Sequence, residues 1–261
     1  MQSNNPVFAR SEGFNGKPSM DSGFSLPPLE GRMTMDTVVE KTAITLGLVI
    51  ASAAVTWFMI GDLYASPNAI GTAYALAMGG AIIGLVLSLV VSFRKVINPA
   101  FVLAYSVVEG VFIGAFSKII ASFVGDPSIV FQAVMATMIA FAATLAAYKF
   151  FNIRVTPKFR RMVTIAVFAF FAVTLVNFIL SFTPLVNEGG LRGFNGLGLA
   201  VSLFAVGLAV FTLILDFDYI ERGIAMGLPE RESWRGAFGL TVTLIWMYIE
   251  ILRILAILRS N

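Results

Sequence analysis

The sequence contains seven apolar segments, each long enough to cross a membrane, and this pattern restricts the fold more than any other feature. About 20 apolar residues in an α-helix span the roughly 30 Å hydrocarbon core of a bilayer. Backbone groups find no water there, so the segments are predicted to be helices rather than strands. The chain is therefore expected to be an all-α integral membrane protein with seven transmembrane helices. The predicted spans are 41–61, 69–93, 99–122, 128–150, 162–183, 196–221 and 236–258.

Residues 1–32 differ in composition from the rest of the chain. They are rich in Ser, Asn, Gly and Pro and contain no sustained apolar run. Such a segment cannot bury enough apolar surface to order itself. The sequence therefore predicts a flexible cytoplasmic tail over 1–32 and a transmembrane domain over 33–261.

The distribution of basic residues predicts the orientation. Of the 18 Lys and Arg residues, 14 lie in the tail, at the start of the first segment, or around the connectors that follow the second, fourth and sixth segments. Seven crossings place all of these on one side of the membrane, and basic loops favour the cytoplasmic side. We expect a multi-pass protein of the cell (inner) membrane, with a cytoplasmic amino terminus and a carboxyl terminus outside.

Composition excludes several classes of function. The chain has no cysteine and no histidine, so thiol chemistry, cysteine metal sites and the usual general base are absent. No nucleophile–base set is visible, and we expect neither an enzyme nor a bound cofactor. A net charge of +3 is too small to indicate nucleic-acid binding.

Ionisable residues inside the apolar segments are the candidate functional residues. A charge near the bilayer centre costs about 2.5–3.5 kcal/mol on insertion scales, so it tends to face the bundle interior and to serve a function. Glu250 lies near the middle of the last segment, and Arg253 follows on the same helix face. Two interpretations remain open: a structural Glu250–Arg253 ion pair, or a carboxylate that binds protons or cations.

The sixth and third segments carry the other candidate acids. Asp218 and Glu221 share one face at the end of the sixth segment, whereas Asp216 lies about 200° from Asp218 around the helix. The two aspartates therefore cannot both face one site. Asp216 and Glu221 are at least as well explained as hydrated residues of a helix end. Glu109, beside Gly110 in the third segment, is either structural or functional.

Several stretches resemble the Bax inhibitor family, the transmembrane Bax-inhibitor-motif proteins, in its bacterial branch. They are INPAFVLAYSVVEGVFIGAFS (97–117), VNFIL (176–180), LDFDYIERG (215–223), EILRIL (250–255) and NPVF (5–8) in the tail. The resemblance covers nearly the whole chain from about residue 35, with seven segments in the expected order. No single motif is highly specific, but their order and spacing together are.

The resemblance implies a fold of two three-helix layers around a central seventh helix, and a pH-regulated calcium leak sensed by a carboxylate pair. On this sequence the pair falls on Asp218 and Glu250, with Arg94 as the arginine that bridges to it. Two carboxylates in one low-dielectric site release their protons in coupled steps. Together with water they would form only a weak calcium site, which suits passage better than storage.

A second hypothesis belongs to a different class. The protein could be a membrane-embedded regulator that binds other membrane proteins, such as a protease or a cell-death or stress factor, without conducting ions. The acids would then be structural, and the tail or the GLPERES connector (227–233) would carry the contact. The expected partners are therefore the lipid bilayer, calcium ions and protons, and under this alternative other membrane proteins.

Overall fold

All seven predicted membrane segments are α-helices in the computed structural model, which describes residues 31–64, 67–151, 153–183 and 189–260. Each helix is long and apolar enough to cross a membrane, so the predicted fold class is confirmed. Two 3-10 turns, Gly190–Arg192 and Glu230–Glu232, precede the last two helices. The helices are α1 (Met35–Ile60), α2 (Pro67–Phe93), α3 (Pro99–Val124), α4 (Ser128–Phe150), α5 (Pro157–Leu180), α6 (Gly196–Ala225) and α7 (Ser233–Ser260).

Two helices begin well before the apolar spans predicted for them because threonine side chains cap their first turns. α1 begins at Met35 rather than 41, and the Thr34 side chain accepts a hydrogen bond from the backbone N–H of Thr37. α5 begins at Pro157 rather than 162, after a similar cap by Thr156. Hydropathy falls where polar residues begin, whereas a capped helix continues through them.

α7 is the most enclosed helix of the bundle. Of the 18-residue apolar stretch with which α7 could cross the membrane, 67% is buried inside the protein, compared with 44% for α3 and 11% for α5. It contacts α1, α3, α4 and α6, whereas α3 packs against both α1 and α2, and α6 packs against α4 and α5. The seventh helix is thus surrounded by protein on several sides, and the division of the other six into two layers stays a prediction.

The end of the bundle that carries the basic connectors, here called the basic end, also holds the chain segment before α1. The N–H of Met33 donates to the carbonyl of Leu228 at 2.7 Å, and the N–H of Glu230 donates to the carbonyl of Gly31 at 2.7 Å. Lys41 pairs with Glu230 at 2.8 Å. Residues 31 and 32, which the sequence assigned to the tail, therefore belong to the folded body, and residues 1–30 lie outside the described residues.

Two glycines on α3 let the backbones of α1 and α3 approach closely. A Cβ added at Gly110 would overlap Ser52 Oγ of α1, and one added at Gly114 would lie 2.9 Å from Thr56 Cβ. Small residues four positions apart commonly form such contacts between membrane helices. The α1–α3 interface therefore depends on the absence of side chains at these positions.

Gly110→Ala is expected to destabilise the protein by about 1–3 kcal/mol because the added methyl group separates α1 from α3. Gly79→Ala on α2 is the matched control, since its Cβ would meet no atom within 4 Å. Thermal unfolding of the detergent-solubilised protein measures both. Equal unfolding temperatures for the two variants would contradict the close approach.

Candidate functional site

Asp216 is the acid of α6 that contacts the central helix. Its Oδ2 atom accepts a hydrogen bond from Thr243 Oγ1 of α7 at 2.7 Å. Gly239, one turn earlier on α7, leaves room for the carboxylate, since a Cβ there would lie 3.4 Å from Asp216 Oδ1. The interpretation of Asp216 as a hydrated residue of a helix end is therefore wrong, because its carboxylate lies between two packed helices.

Asp218 faces the opposite way, toward α5, as the 200° offset requires. Its Oδ2 atom lies 2.5 Å from Arg160 Nη2 of α5, and its Oδ1 atom lies 2.9 Å from Arg222 Nη2 of α6. Arg222 also donates to the carbonyl of Val155 in the α4–α5 connector at 3.3 Å. The carboxylate is buried, and two cations neutralise it. Asp218 thus fastens α5 and the connector before it to the end of α6.

Glu221 belongs to the same cluster at the basic end. It accepts a hydrogen bond from the Tyr148 hydroxyl of α4 at 2.7 Å. Asp218, Glu221, Arg160 and Arg222 together carry no net formal charge. These four residues of α5 and α6 thus form a neutral cluster, here called the inner clamp, and Glu221 ties it to α4 while its side chain stays exposed, as expected for a helix end.

Glu250 lies at the other end of α7, in a second cluster. Its Oε1 atom lies 2.8 Å from Nη1 of Arg192, the last residue of the 3-10 turn before α6. Arg253 donates from Nη2 to the Arg192 carbonyl at 2.5 Å. Glu250 and Arg253 are 2% and 8% exposed. The predicted Glu250–Arg253 pair is therefore replaced by a Glu250–Arg192 pair, because a cation from another element reaches the carboxylate.

The structure does not bring Asp218 and Glu250, the two acids of the predicted carboxylate pair, together. Asp218 lies about 10 Å along α6 from its end at Ala225, whereas Glu250 lies about 25 Å along α7 from its start at Ser233. Both helix ends meet at the basic end, so the two acids differ in depth by about 15 Å. Each carboxylate has arginine partners of its own.

Arg94 does not bridge the predicted carboxylate pair, and Glu109 lies apart from it. The Arg94 guanidinium lies 4.7 Å from the ring centroid of Phe101, and its carbonyl accepts a hydrogen bond from Arg235. Asp218 is bridged instead by the arginines of the inner clamp. Glu109 packs against Gly84 of α2, where a Cβ would lie 2.7 Å from its Oε1 atom. It therefore occupies the α2–α3 interface, away from the α6–α7 contact.

The weak calcium site predicted at Asp218 and Glu250 does not form in this arrangement. An arginine pairs with an oxygen of each carboxylate and would compete with a cation for it. Within the part of the chain that the structure describes, no group of three or more acidic side chains could hold a metal ion. Asp218 and Glu250 differ in depth by about 15 Å, so one cation could not bind both.

Sequence reasoning missed the partners more often than the acids. Arg160 lies among the basic residues that predict the orientation, and Arg192 lies in the connector before the sixth segment, so the sequence marks neither as the partner of an acid. Thr241 and Thr243 are hydroxyl residues in the otherwise apolar first half of the last segment, and that pattern was an available signal. Thr241 is fully buried, with its Oγ1 atom 2.8 Å from that of Thr45 on α1.

Seven apolar helices with ionisable residues placed between them define a multi-pass helical membrane protein. The model of the family described as Bax inhibitor 1 like matches residues 5–260, nearly the whole chain. The chain therefore belongs to that family, and the resemblance seen in the sequence is confirmed at the family level. A search of curated protein sequences found no match.

Glu250→Gln is expected to lower the free energy of unfolding by about 3 kcal/mol because it leaves the buried arginine pair without a counter-charge. Glu40→Gln, at an exposed position of α1, should change it by less than about 0.5 kcal/mol. Denaturant unfolding in detergent compares the two. If Glu250→Gln unfolds like Glu40→Gln, the pairing of Glu250 with Arg192 contributes nothing to the fold.

Proposed function

We propose that the protein is a pH-regulated calcium leak of the cell membrane and that Asp216 is its proton-sensing acid. The basic end would face the cytoplasm and the carboxyl terminus would lie outside. The observation that carries the proposal is the Asp216–Thr243 hydrogen bond, which joins α6 to the central helix through a titratable group. Family membership agrees with this function and does not by itself establish it.

The proposal distinguishes Asp216 from the other acids by their partners. Two arginines pair with Asp218 and one pairs with Glu250. Neutralising either acid would therefore leave an arginine beside it without its counter-charge. The hydrogen-bond partner of Asp216 is the Thr243 hydroxyl group, which can either donate or accept a hydrogen bond. The Asp216–Thr243 hydrogen bond can therefore form whether Asp216 is neutral or ionised, but its direction can differ between the two states.

Proton release at Asp216 would open a path as follows. The neutral carboxyl keeps the α6–α7 contact dry and the helices packed. The ionised carboxylate, about 13 Å from the basic end of α6, attracts water and a cation into the contact and loosens it. Calcium would find one carboxylate, the Thr243 hydroxyl and water there, a weak set of ligands suited to transit.

Asp216→Asn is expected to remove the pH dependence of calcium flux because a carboxamide cannot release a proton. Wild-type protein in liposomes should conduct more calcium as the pH rises from about 6 to about 8, and the variant should give a flat profile. Asp36→Asn, at an exposed position near the basic end, is the matched control and should follow the wild-type curve. Calcium-dye flux across a pH series measures all three.

The Asp218→Asn variant tests the inner clamp independently of the proposed sensor, Asp216. Loss of one carboxylate leaves Arg160 and Arg222 unneutralised, so the clamp weakens and flux should increase at every pH while its pH dependence persists. A wild-type pH profile in Asp216→Asn would refute Asp216 as sensor. No flux in wild-type protein at any pH would refute the channel and favour the alternative, a regulator that binds other membrane proteins.

A further inference from the structure

A groove between α5 and α6 runs inward from the end of the bundle opposite the basic end. It encloses about 330 Å³, and its walls include Ala166, Phe170 and Val173 of α5 and Val201 and Phe204 of α6. α5 is the least buried helix of the bundle, so the groove lies on its lipid-facing side. An acyl chain is the natural occupant of an apolar groove that faces lipid.

The length of the groove matches one leaflet of a membrane. Asn177 lines its outer part and Ala166 lines its inner part, and the two are about 16 Å apart along α5. Half of the hydrocarbon core measures about 15 Å. A lipid of the leaflet at that end could therefore lie along α5 with its headgroup beside Asn177.

The headgroup end of the groove is positively charged. Arg192 lines it, and its guanidinium lies 5.9 Å from the ring centroid of Phe170. Arg192 pairs with the single carboxylate of Glu250, and Arg253 donates to the Arg192 carbonyl, so these three described side chains carry a net charge of +1. Arg192 Nη1, Arg253 Nε and Glu250 Oε2 are buried without a hydrogen-bond partner in the described structure. A second anion would balance this charge.

The position of Arg192 is fixed by the protein rather than by the bilayer. Asn177 accepts from the N–H of Leu191 at 2.9 Å and donates to the carbonyl of Gly189 at 3.1 Å. Its side chain thereby ties the 3-10 turn to the end of α5. The turn that carries Arg192 is held at the mouth of the groove before any ligand arrives, and the guanidinium extends inward to Phe170 and Glu250, so less entropy is lost on binding.

We propose that this groove binds one anionic phospholipid of the leaflet at the end opposite the basic end, with an acyl chain between α5 and α6 and the phosphate on Arg192. Arginine is suited to phosphate because its planar guanidinium donates two parallel hydrogen bonds. The excess positive charge favours an anionic headgroup over a zwitterionic one. The bound lipid would complete the charge balance around Glu250.

Native mass spectrometry of the detergent-solubilised protein, titrated with phosphatidylglycerol or phosphatidylcholine, tests the proposal. Wild-type protein should retain phosphatidylglycerol preferentially, and Arg192→Gln should bind it about tenfold more weakly and lose the preference. Lys118→Gln, which removes from α3 a cation that lies over Trp57 of α1, is the charge-matched control and should bind like wild type.

A second variant fills the groove and leaves its charges in place. Val201→Phe should reduce retention of both lipids, whereas Ala172→Phe, at an exposed position of α5, should not. Unchanged phosphatidylglycerol binding in Val201→Phe, or in an Arg192→Gln protein that still unfolds cooperatively, would overturn the site. Full displacement of the lipid by inorganic phosphate would also overturn it and indicate a site for free anions.

Discussion

A polar side chain on α7 must find its partner inside the protein, and this constraint connects the central helix to its neighbours. Membrane helices around it exclude water, and an unpaired polar group in such surroundings costs several kcal/mol. Four side chains of α7 meet the requirement, each with a different neighbour, whereas Trp246 Nε1 and Arg253 Nε are buried without a hydrogen-bond partner in the described structure. From the basic end outward its partnered side chains are Thr241 with Thr45 of α1, Thr243 with Asp216 of α6, Tyr248 with Ser117 of α3, and Glu250 with Arg192. The same contacts fix the rotation of α7 and its position along its axis.

The charges along this axis are distributed unequally. At the basic end the inner clamp is neutral, and toward the opposite end Arg192 and Arg253 lie beside the single carboxylate of Glu250. Asp216 lies at an intermediate depth, with the Thr243 hydroxyl as its hydrogen-bond partner. A cation moving along the α6–α7 contact from the basic end would meet one acid and then face an excess of positive charge. Passage in the proposed leak would therefore depend on whether Asp216 is charged and on what balances the arginines beyond it.

The sequence was sufficient for the features that depend on one helix at a time. Segment length predicts the seven helices, and insertion cost identifies the acids that need partners. The wheel angle shows that Asp216 and Asp218 face different neighbours, but it cannot show which neighbour is α7. That depends on the rotation of α6, which packing against three other helices decides. The spacing of Glu250 and Arg253 likewise permits a pair within α7, whereas Arg192 approaches from a turn whose position relative to α7 no spacing rule gives.

The partner of Asp216 also determines what kind of pH response the contact can give. Two carboxylates that share a site influence each other's protonation, so their protons leave in two coupled steps. A carboxylate beside a threonine has no such partner, because the hydroxyl group stays neutral and only redirects its hydrogen bond. The α6–α7 contact of this chain would therefore follow the titration of one group, with two states instead of three. Control of the leak by a single proton requires the rest of the path to be electrically fixed, and the arginine partners of Asp218 and Glu250 supply that condition.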